Sequence, residues 1–479
     1  MTGEGLGSAQ FVRRLSLVDT AFLVVGAVVG SGIFLTPGLI AADLPSPGLL
    51  LAVWLAGGLV TLCGALSFAE LGAMYPQAGG QYVYLREAYG PAAAFLFGWG
   101  FFGFIMCGGL AALAVGFAEF FGSFVPAAAM GVRILHVSLF GLSYTLSAGQ
   151  VVAAAAILLL TLLNTFGIRA GIAVQNVLTV FRIGAVLAIV VLGVLFGAKS
   201  GSSNFHPLFQ GMPGWSSLLR PLGLALVAVF WTYDGWYSVN CTAEEVRNPE
   251  RNIPRGLILG VAGVAVLYVS VNLVYLMALP IEKLRGVTRI GELVTTSLFG
   301  GGVSTVISAV IMVSVFGCLN ANLLFGPRVY YAMARDGSFF RGMARLSPRW
   351  RVPARALWGQ AVWSAVLCLS GTYEALYEYM VFALLVFFAA TGLAVIVLRK
   401  RRPEVRRPYR TTGYPVVPAV FIIVSLAIFL NILISQPLKS AAGLALLGAG
   451  LPAYVLWRTR RPGAGPPDRK RIGTGADLI

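Results

Sequence analysis

Residues 25–34 read Val25-Gly26-Ala27-Val28-Val29-Gly30-Ser31-Gly32-Ile33-Phe34, an apolar stretch in which Gly30-Ser31-Gly32 interrupts a predicted helix. The stretch lies at the centre of a longer apolar segment that runs from Val18 to Ala42. Because lipid cannot satisfy an open backbone, a break at this depth survives only where it lines a cavity or is covered by protein. The sequence therefore predicts a membrane-spanning helix that is broken at its centre.

A second apolar segment, Leu218 to Val246, is broken in the same way at Tyr233-Asp234-Gly235. Five predicted spans precede it, so helices one to five and helices six to ten form two equal sets, each opening with a broken helix. An odd number of spans per set reverses the second set in the membrane, which is the geometry of an inverted repeat. Paired broken helices in corresponding positions indicate the binding site of a secondary transporter.

The composition is typical of a polytopic membrane protein, with 58% hydrophobic residues, 11% charged residues and a mean hydropathy of +0.83. A soluble domain carries roughly 25% charged residues. The apolar residues fall in repeated runs close to the ~20 residues that a span needs. We predict an all-α fold of twelve transmembrane helices at 17–42, 47–71, 91–121, 148–167, 171–197, 218–246, 255–279, 301–335, 354–371, 374–399, 415–435 and 440–457.

The predicted organisation follows from these spans. It comprises a tail at 1–14, a first repeat at 15–197, a second repeat at 218–400, two further helices at 415–457 and a tail at 458–479. The net charge of +17 would suit nucleic-acid binding, but most of the 35 lysines and arginines fall in predicted loops on one side of the membrane. The positive-inside rule places that side, with both termini, in the cytoplasm. We therefore expect a multi-pass protein of the cell (inner) membrane that binds no nucleic acid.

The first break has the features of a carboxylate site. Gly30 and Gly32 allow the backbone to leave helical geometry and allow a ligand to approach closely. The half-helix that starts near Ile33 presents free N–H groups and a positive dipole end. Plain helix packing is the alternative, because Gly26 and Gly30 form a G-x-x-x-G pair. A nucleotide site is excluded because no βαβ unit surrounds these glycines.

The other polar residues within predicted spans suggest further roles. Asp234 is a carboxylate at mid-membrane depth, which costs ~2.5–3.5 kcal/mol on insertion scales. Capping of the following half-helix and direct contact with a ligand are the two roles that its position suggests, and they are compatible. Arg182 stays charged in the middle of the fifth helix, and we expect it to act as a fixed cation bonded to carbonyls of the first broken helix. Gln175, Asn320 and Asn322 suit structural hydrogen bonds between helices.

Four stretches carry motifs of a known family. They are the first-helix run at 25–34, Glu70-Leu71 followed by Pro76-Gln77-Ala78-Gly79-Gly80-Gln81-Tyr82, the run FWTYDGWYSVNCTAEEVRNPERNIP from Phe230 to Pro254, and the helix-eight run from Phe316 to Gly337. Over residues 15 to 415 the chain resembles the amino acid–polyamine–organocation superfamily and, within it, the L-type amino acid transporter family. The resemblance implies the LeuT-like fold of five plus five inverted helices, with alternating access to amino acids.

The resemblance also implies roles for individual residues. Gly30, Ser31 and Gly32 would hold the substrate carboxylate, and Thr232 and Tyr233, with Val29, would hold its amino group. Trp231 stands where the family usually has a phenylalanine that closes over substrate, and Arg182 stands where it usually has a lysine able to couple to protons. The predicted substrate residues are Val29, Gly30, Ser31, Gly32, Ile33, Phe104, Ile105, Trp231, Thr232, Tyr233, Asp234 and Gly235, where Phe104 and Ile105 line the side-chain pocket.

We therefore predict a sodium-independent exchanger or facilitator of L-amino acids, with neutral amino acids as the favoured substrates. Cationic amino acids or polyamines are the alternative substrates. A channel would need a continuous pore with polar rings. An enzyme would need paired carboxylates, a metal cluster or a nucleophile–base pair, which the predicted spans lack. We expect no cofactor and no metal. Relatives that pair with a glycoprotein heavy chain use a cysteine between helices three and four, and residues 122–147 contain none, so we expect no disulfide-linked heavy chain.

Overall fold

The computed structural model describes residues 11–44, 46–139, 142–197, 203–209, 214–370 and 373–459. The predicted tails are therefore described only at 11–14 and 458–459. The helices are α1 Leu17–Val28, α2 Gly32–Asp43, α3 Pro47–Met74, α4 Gln81–Tyr89, α5 Pro91–Gly100, α6 Met106–Phe124, α7 Ala148–Thr165, α8 Ile168–Gly197, α9 Trp215–Tyr233, α10 Ser238–Cys241, α11 Pro249–Ala278, α12 Ile281–Leu284, α13 Ile290–Phe299, α14 Gly301–Arg335, α15 Ala354–Ser370, α16 Tyr373–Arg401, α17 Val416–Ser435, α18 Pro437–Gly448 and α19 Gly450–Thr459.

The helices confirm an all-α polytopic membrane protein. Within the described ranges, nine helices are long and apolar enough to cross a membrane, and α1 with α2, bent by 45° at their break, forms a tenth candidate span. The predicted sixth and ninth spans fall outside this set. Helix α15 has only 17 residues, and the segment predicted at 218–246 is helical without interruption only as far as Tyr233. The count of twelve spans stays a prediction.

The second break differs from the expectation of two matched half-helices. After α9 the chain makes a turn at 234–237, a single helical turn in α10 and a 3-10 turn at Ala243–Glu245. The next span, α11, then begins at Pro249 rather than near residue 255. Gly235 has a φ of +94° in this turn, and a β-carbon there would lie 2.8 Å from the carbonyl oxygen of Ala27. Glycine thus lets the second break pack directly against the first.

Two segments predicted as connections contain further structure. The connection between the predicted second and third spans contains the short helix α4. The loop predicted at 122–147 contains a two-stranded antiparallel hairpin, β1 Arg133–Leu139 and β2 Leu142–Ser147. Residues 135–138 alternate between apolar and polar side chains, which is the period of a strand. That alternation is the feature of the sequence from which the hairpin could have been predicted.

The backbone of α2 explains how a proline is tolerated inside a broken span. Pro37 has no N–H to donate to the carbonyl of Ile33, four residues earlier. The hydroxyl of Tyr275 on α11 donates to that carbonyl at 3.4 Å. Thr36 donates to the carbonyl of Gly32 at 2.9 Å in the same turn. The carbonyl that the proline leaves without a backbone donor is therefore satisfied by a side chain.

Candidate functional site

A cavity of about 390 Å³ lies where the two breaks meet. The lining residues come from both breaks and from helices α6, α14 and α16, with one residue from the turn before α6: Ala27, Val28, Gly30, Gly32, Ile105, Met106, Gly109, Leu113, Trp231, Thr232, Asp234, Cys318, Asn322 and Met380.

Half of the predicted substrate residues line this cavity, namely Gly30, Gly32, Ile105, Trp231, Thr232 and Asp234. The others, Val29, Ser31, Ile33, Phe104, Tyr233 and Gly235, lie in the same segments but do not line it. Phe104 belongs to a π-helical turn at Phe101–Ile105, and such a turn changes which residues of a helix face a given side. Along the chain after Ile105, the next residues that line the cavity are therefore Met106 and Gly109.

The two breaks approach each other most closely at Gly32 and Thr232. A β-carbon on Gly32 would lie 2.7 Å from Oγ1 and 3.0 Å from Cα of Thr232. The hydroxyls of Thr232 and Thr36 are 2.9 Å apart. These contacts tie the start of α2 to the end of α9 and leave no room for a larger residue at position 32.

Tyr268 on α11 links the breaks from the other side. Its hydroxyl lies 3.0 Å from the carbonyl oxygen of Val28 and 3.1 Å from that of Thr232. One hydroxyl carries a single proton, so the two carbonyls share one donor. Tyr268 was absent from the sequence-based list because a tyrosine in an apolar span carries no distinguishing pattern.

The polar end of the cavity contains the positive end of a helix dipole and a carboxylate side chain. Helix α2 begins at Gly32, and the first N–H groups of a helix lack intrahelical acceptors and carry its positive dipole end. Asp234 lines the same cavity. Its carboxylate interacts with the backbone of Gly235 and the hydroxyl of Tyr237, while its buried Oδ1 makes no close hydrogen bond among the described residues. The structure does not show Asp234 capping a half-helix, since α10 begins only at Ser238, with Tyr237 at its N-cap.

Arg182 is fully buried beside the first break. Its Nη1 donates to the carbonyl oxygen of Gly26 at 2.6 Å, which is the expected contact with the first broken helix. In the described part of the chain, no carboxylate lies within ion-pair distance of this guanidinium, and its Nε and Nη2 have no hydrogen-bond partner. A β-carbon on Gly317 would collide with Nη2, so Arg182 also lies against α14.

The predicted structural amides divide into two groups. Asn320 and Gln175 do form an interhelical network: Asn320 donates to Gln175 at 2.9 Å and accepts from Asn164 at 2.8 Å. Asn322 instead lines the cavity and donates to the carbonyl of Ala27 at 3.2 Å. Cys318 also lines the cavity and donates to the carbonyl of Ala27 at 3.1 Å.

The remaining walls of the cavity are apolar. Ile105, Met106 and Leu113 face Met380 of α16 across Gly109, and a β-carbon on Gly109 would lie 2.9 Å from the Met380 sulfur. Among the described residues there is no group of three or more metal-ligating side chains. The arrangement can therefore hold a small ligand with a charged head and an apolar remainder.

A multi-pass helical protein in which two interrupted segments meet at a central cavity has the architecture of secondary transporters. Residues 15–451 match the family model described as amino acid permease, and the chain belongs to this family. It is 31% identical to the b(0,+)-type amino acid transporter 1 of Mus musculus, with 90% of this chain and 85% of that protein covered. It is 30% identical to the serine/threonine exchanger SteT of Bacillus subtilis (strain 168), over 94% of this chain and 98% of that protein. It is 27% identical to the human cystine/glutamate transporter, over 95% and 87% of the two chains.

The family and the relatives establish that this protein transports amino acids and is not an enzyme. They also confirm the resemblance to L-type amino acid transporters that the motifs indicated.

Proposed function

We propose that this protein moves neutral L-amino acids by sodium-independent exchange or facilitation, with alternating access through the central cavity. The observation that supports this proposal is the division of the cavity into a polar end and an apolar end. The start of α2 and the carbonyls near Val28 and Thr232 suit a zwitterionic head group. The walls around Gly109 and Met380 suit an apolar side chain.

The proposed framework is the inverted repeat of residues 15–197 and 218–400, with 415–457 outside it. The direct packing of one break against the other supports this arrangement, because a shared site between repeats is expected at their interface. The bias of basic residues supports a location in the cell (inner) membrane with both termini in the cytoplasm.

A counterflow experiment tests the proposal directly. Purified protein in proteoliposomes preloaded with leucine or alanine is expected to show saturable uptake of the labelled amino acid, and competitors with neutral side chains are expected to inhibit it. Uptake that grows linearly with concentration would contradict a carrier mechanism. The same preparation contains no other chain, so activity in it would also support our proposal that no disulfide-linked heavy chain is needed.

Arg182 is the reason to expect independence from sodium and protons. A permanent positive charge lies against the carbonyl of Gly26 and against α14 at Gly317, and a cation beside these groups would be repelled. Arginine also keeps its proton throughout the physiological range, so it cannot release one during transport.

We therefore expect uptake by the wild type to be unchanged when a sodium or proton gradient is imposed. Arg182→Lys is expected to make uptake depend on pH, because a buried lysine shifts its pKa readily whereas arginine does not. The matched control is Arg220→Lys on α9, whose side chain is exposed. A wild-type carrier driven strongly by a proton gradient would contradict the fixed-cation role.

A second candidate substrate class is cationic amino acids, and Asp234 is the specific observation that favours it. Its Oδ1 is buried at the cavity without a hydrogen-bond partner in the described structure. At a separation of ~4 Å and an effective dielectric near 20, a pair of unit charges interacts by about 4 kcal/mol. That energy is large enough to decide selectivity if the substrate cation reaches the carboxylate.

Competition by lysine against labelled leucine separates the two classes. With neutral substrates, lysine is expected to inhibit neither the wild type nor Asp234→Asn. Strong inhibition of the wild type that disappears in Asp234→Asn would replace the neutral assignment by the cationic one. Glu282→Gln, at an exposed position of α12, controls for a change of charge away from the cavity.

A further inference from the structure

The β1–β2 hairpin has two chemically different faces. In an antiparallel pair, residues directly opposite each other lie on the same face, and successive residues alternate between faces. The pairs on one face are Leu135 with Leu146 and Val137 with Tyr144, and the pair between them on the other face is His136 with Thr145. One face of the hairpin is therefore apolar and the other is polar.

The apolar face is not covered by the described part of the chain. Leu135, Val137 and Tyr144 are 48%, 41% and 42% exposed, and the bulged residue Ile134 is 58% exposed. Single exposed apolar residues are ordinary, but a contiguous group on a surface marks an interaction site. The hairpin thus presents a surface that favours an apolar partner.

Tyr144 connects the hairpin to the helix bundle. Its hydroxyl donates to the carbonyl oxygen of Leu369 at 2.9 Å, in the last turn of α15. This contact holds the hairpin at one end of the helix bundle, beside the first residues of α7. On the opposite face, His136 Nδ1 and Thr145 Oγ1 are 2.8 Å apart and both residues are exposed.

The helices beside the hairpin also expose apolar residues. Helix α7 starts directly after β2, and Val151 in its first turn is 42% exposed. Near the same end of α15, Val366 is 46% exposed. In a membrane protein such outward apolar residues on spans face lipid. Tyrosine is moreover enriched at the membrane–water interface, where Tyr144 would lie.

We propose that the β1–β2 hairpin is a membrane-interface element, with its apolar face seated in the headgroup boundary of the adjoining leaflet and its polar face in water. Its partner is the lipid surface, which is the outer leaflet in the proposed orientation. The strand edges carry backbone groups that hydrocarbon could not satisfy, so the hairpin lies at interfacial depth, like amphipathic surface helices. The proposal rests on membrane embedding and is independent of the substrate assignment.

Neighbouring residues on opposite faces provide the test. Val137→Cys and the matched Ser138→Cys each receive a nitroxide label in protein reconstituted in phosphatidylcholine vesicles, and electron paramagnetic resonance measures relaxation by oxygen and by a water-soluble nickel chelate. We expect the label at 137 to be relaxed mainly by oxygen and the label at 138 mainly by nickel. Labelled wild type measures the background from the five native cysteines, four of which are buried.

Leu135→Cys supplies a second label on the apolar face and is expected to behave as position 137 does. Nickel-dominated relaxation at both 135 and 137 would place the face in water and overturn the proposal. Shielding of both labels from oxygen and nickel, relieved on dilution of the protein in lipid, would mean that a second copy covers the face instead. Uptake at the wild-type rate verifies that each labelled variant is folded.

Discussion

Gly32→Ala is expected to abolish amino acid uptake without reducing expression. The added β-carbon would lie 2.7 Å from Oγ1, 2.8 Å from Cγ2 and 3.0 Å from Cα of Thr232. Rotation of the threonine cannot relieve the contact with its Cα, so α2 and α9 must separate. Overpacking of this kind costs about 1–3 kcal/mol, which corresponds to roughly a 5- to 150-fold loss if it falls on substrate binding. The same β-carbon also sits at the helix start proposed to bind the carboxylate.

Counterflow of labelled leucine measures this loss as the change in half-saturating concentration and in maximal rate. Gly263→Ala on α11 is the matched control, because a β-carbon there meets no heavy atom within 4 Å. Gly30→Ala is expected to show a smaller effect, since its β-carbon would lie 2.8 Å from the sulfur of Cys318, a side chain that can move. Wild-type affinity in Gly32→Ala would remove the case for a carboxylate site at this break.

The sequence predicted the positions of both breaks because glycine and aspartate in the middle of long apolar runs are energetically conspicuous. Arg182 was found for the same reason, and its bond to the carbonyl of Gly26 is the contact expected of it. Such signals come from the cost of polar or non-helical groups in lipid. They identify depth in the membrane, and so they placed the site near the centre of the bundle.

The walls of the site could not be predicted in the same way. Cys318 and Met380 lie on helices that are apolar on nearly every side, so hydrophobic periodicity cannot separate a cavity-facing side from a lipid-facing side. The rotation of each helix is set by packing against its neighbours. The π-helical turn at Phe101–Ile105 adds a local shift, which is why Met106 lines the cavity and Phe104 does not.

A buried ion pair between Glu245 and Arg328 lies on the side of the bundle predicted to be cytoplasmic. Nε of Arg328 donates to Oε1 of Glu245 at 2.8 Å, and the two side chains are only 1% and 2% exposed. The backbone N–H groups of Arg14 and Leu15 donate to the Glu245 carbonyl oxygen at 2.7 Å and 2.9 Å. These two backbone hydrogen bonds hold the segment before α1 against the residues that follow the second break. A cation–π contact between Arg328 and Phe11, with the guanidinium carbon 5.8 Å from the ring centroid, also holds this segment in place.

A contrasting carboxylate stands next to Glu245 in the sequence. Glu244 pairs with Arg335 at 3.3 Å, where the arginine side chain is 54% exposed. Exposed pairs contribute about 0–1 kcal/mol because solvent screens them. Removing one partner of a buried pair costs about 3–5 kcal/mol, because the other charge is left without compensation in a low-dielectric site.

Glu245→Gln is therefore expected to lower the free energy of unfolding by about 3–5 kcal/mol, whereas Glu244→Gln leaves it nearly unchanged. Thermal unfolding of the detergent-solubilised variants, followed through the fluorescence of a thiol-reactive dye as the buried cysteines become exposed, gives the comparison. The double variant Glu245→Gln with Arg328→Met removes both charges and is expected to recover most of the loss, since an apolar replacement of a buried pair is often neutral. Equal destabilisation by Glu244→Gln and Glu245→Gln would show that burial of the pair is not what matters. Failure of the double variant to recover would instead assign the stability to the contacts of Arg328 with Phe11 and the carbonyl of Leu324.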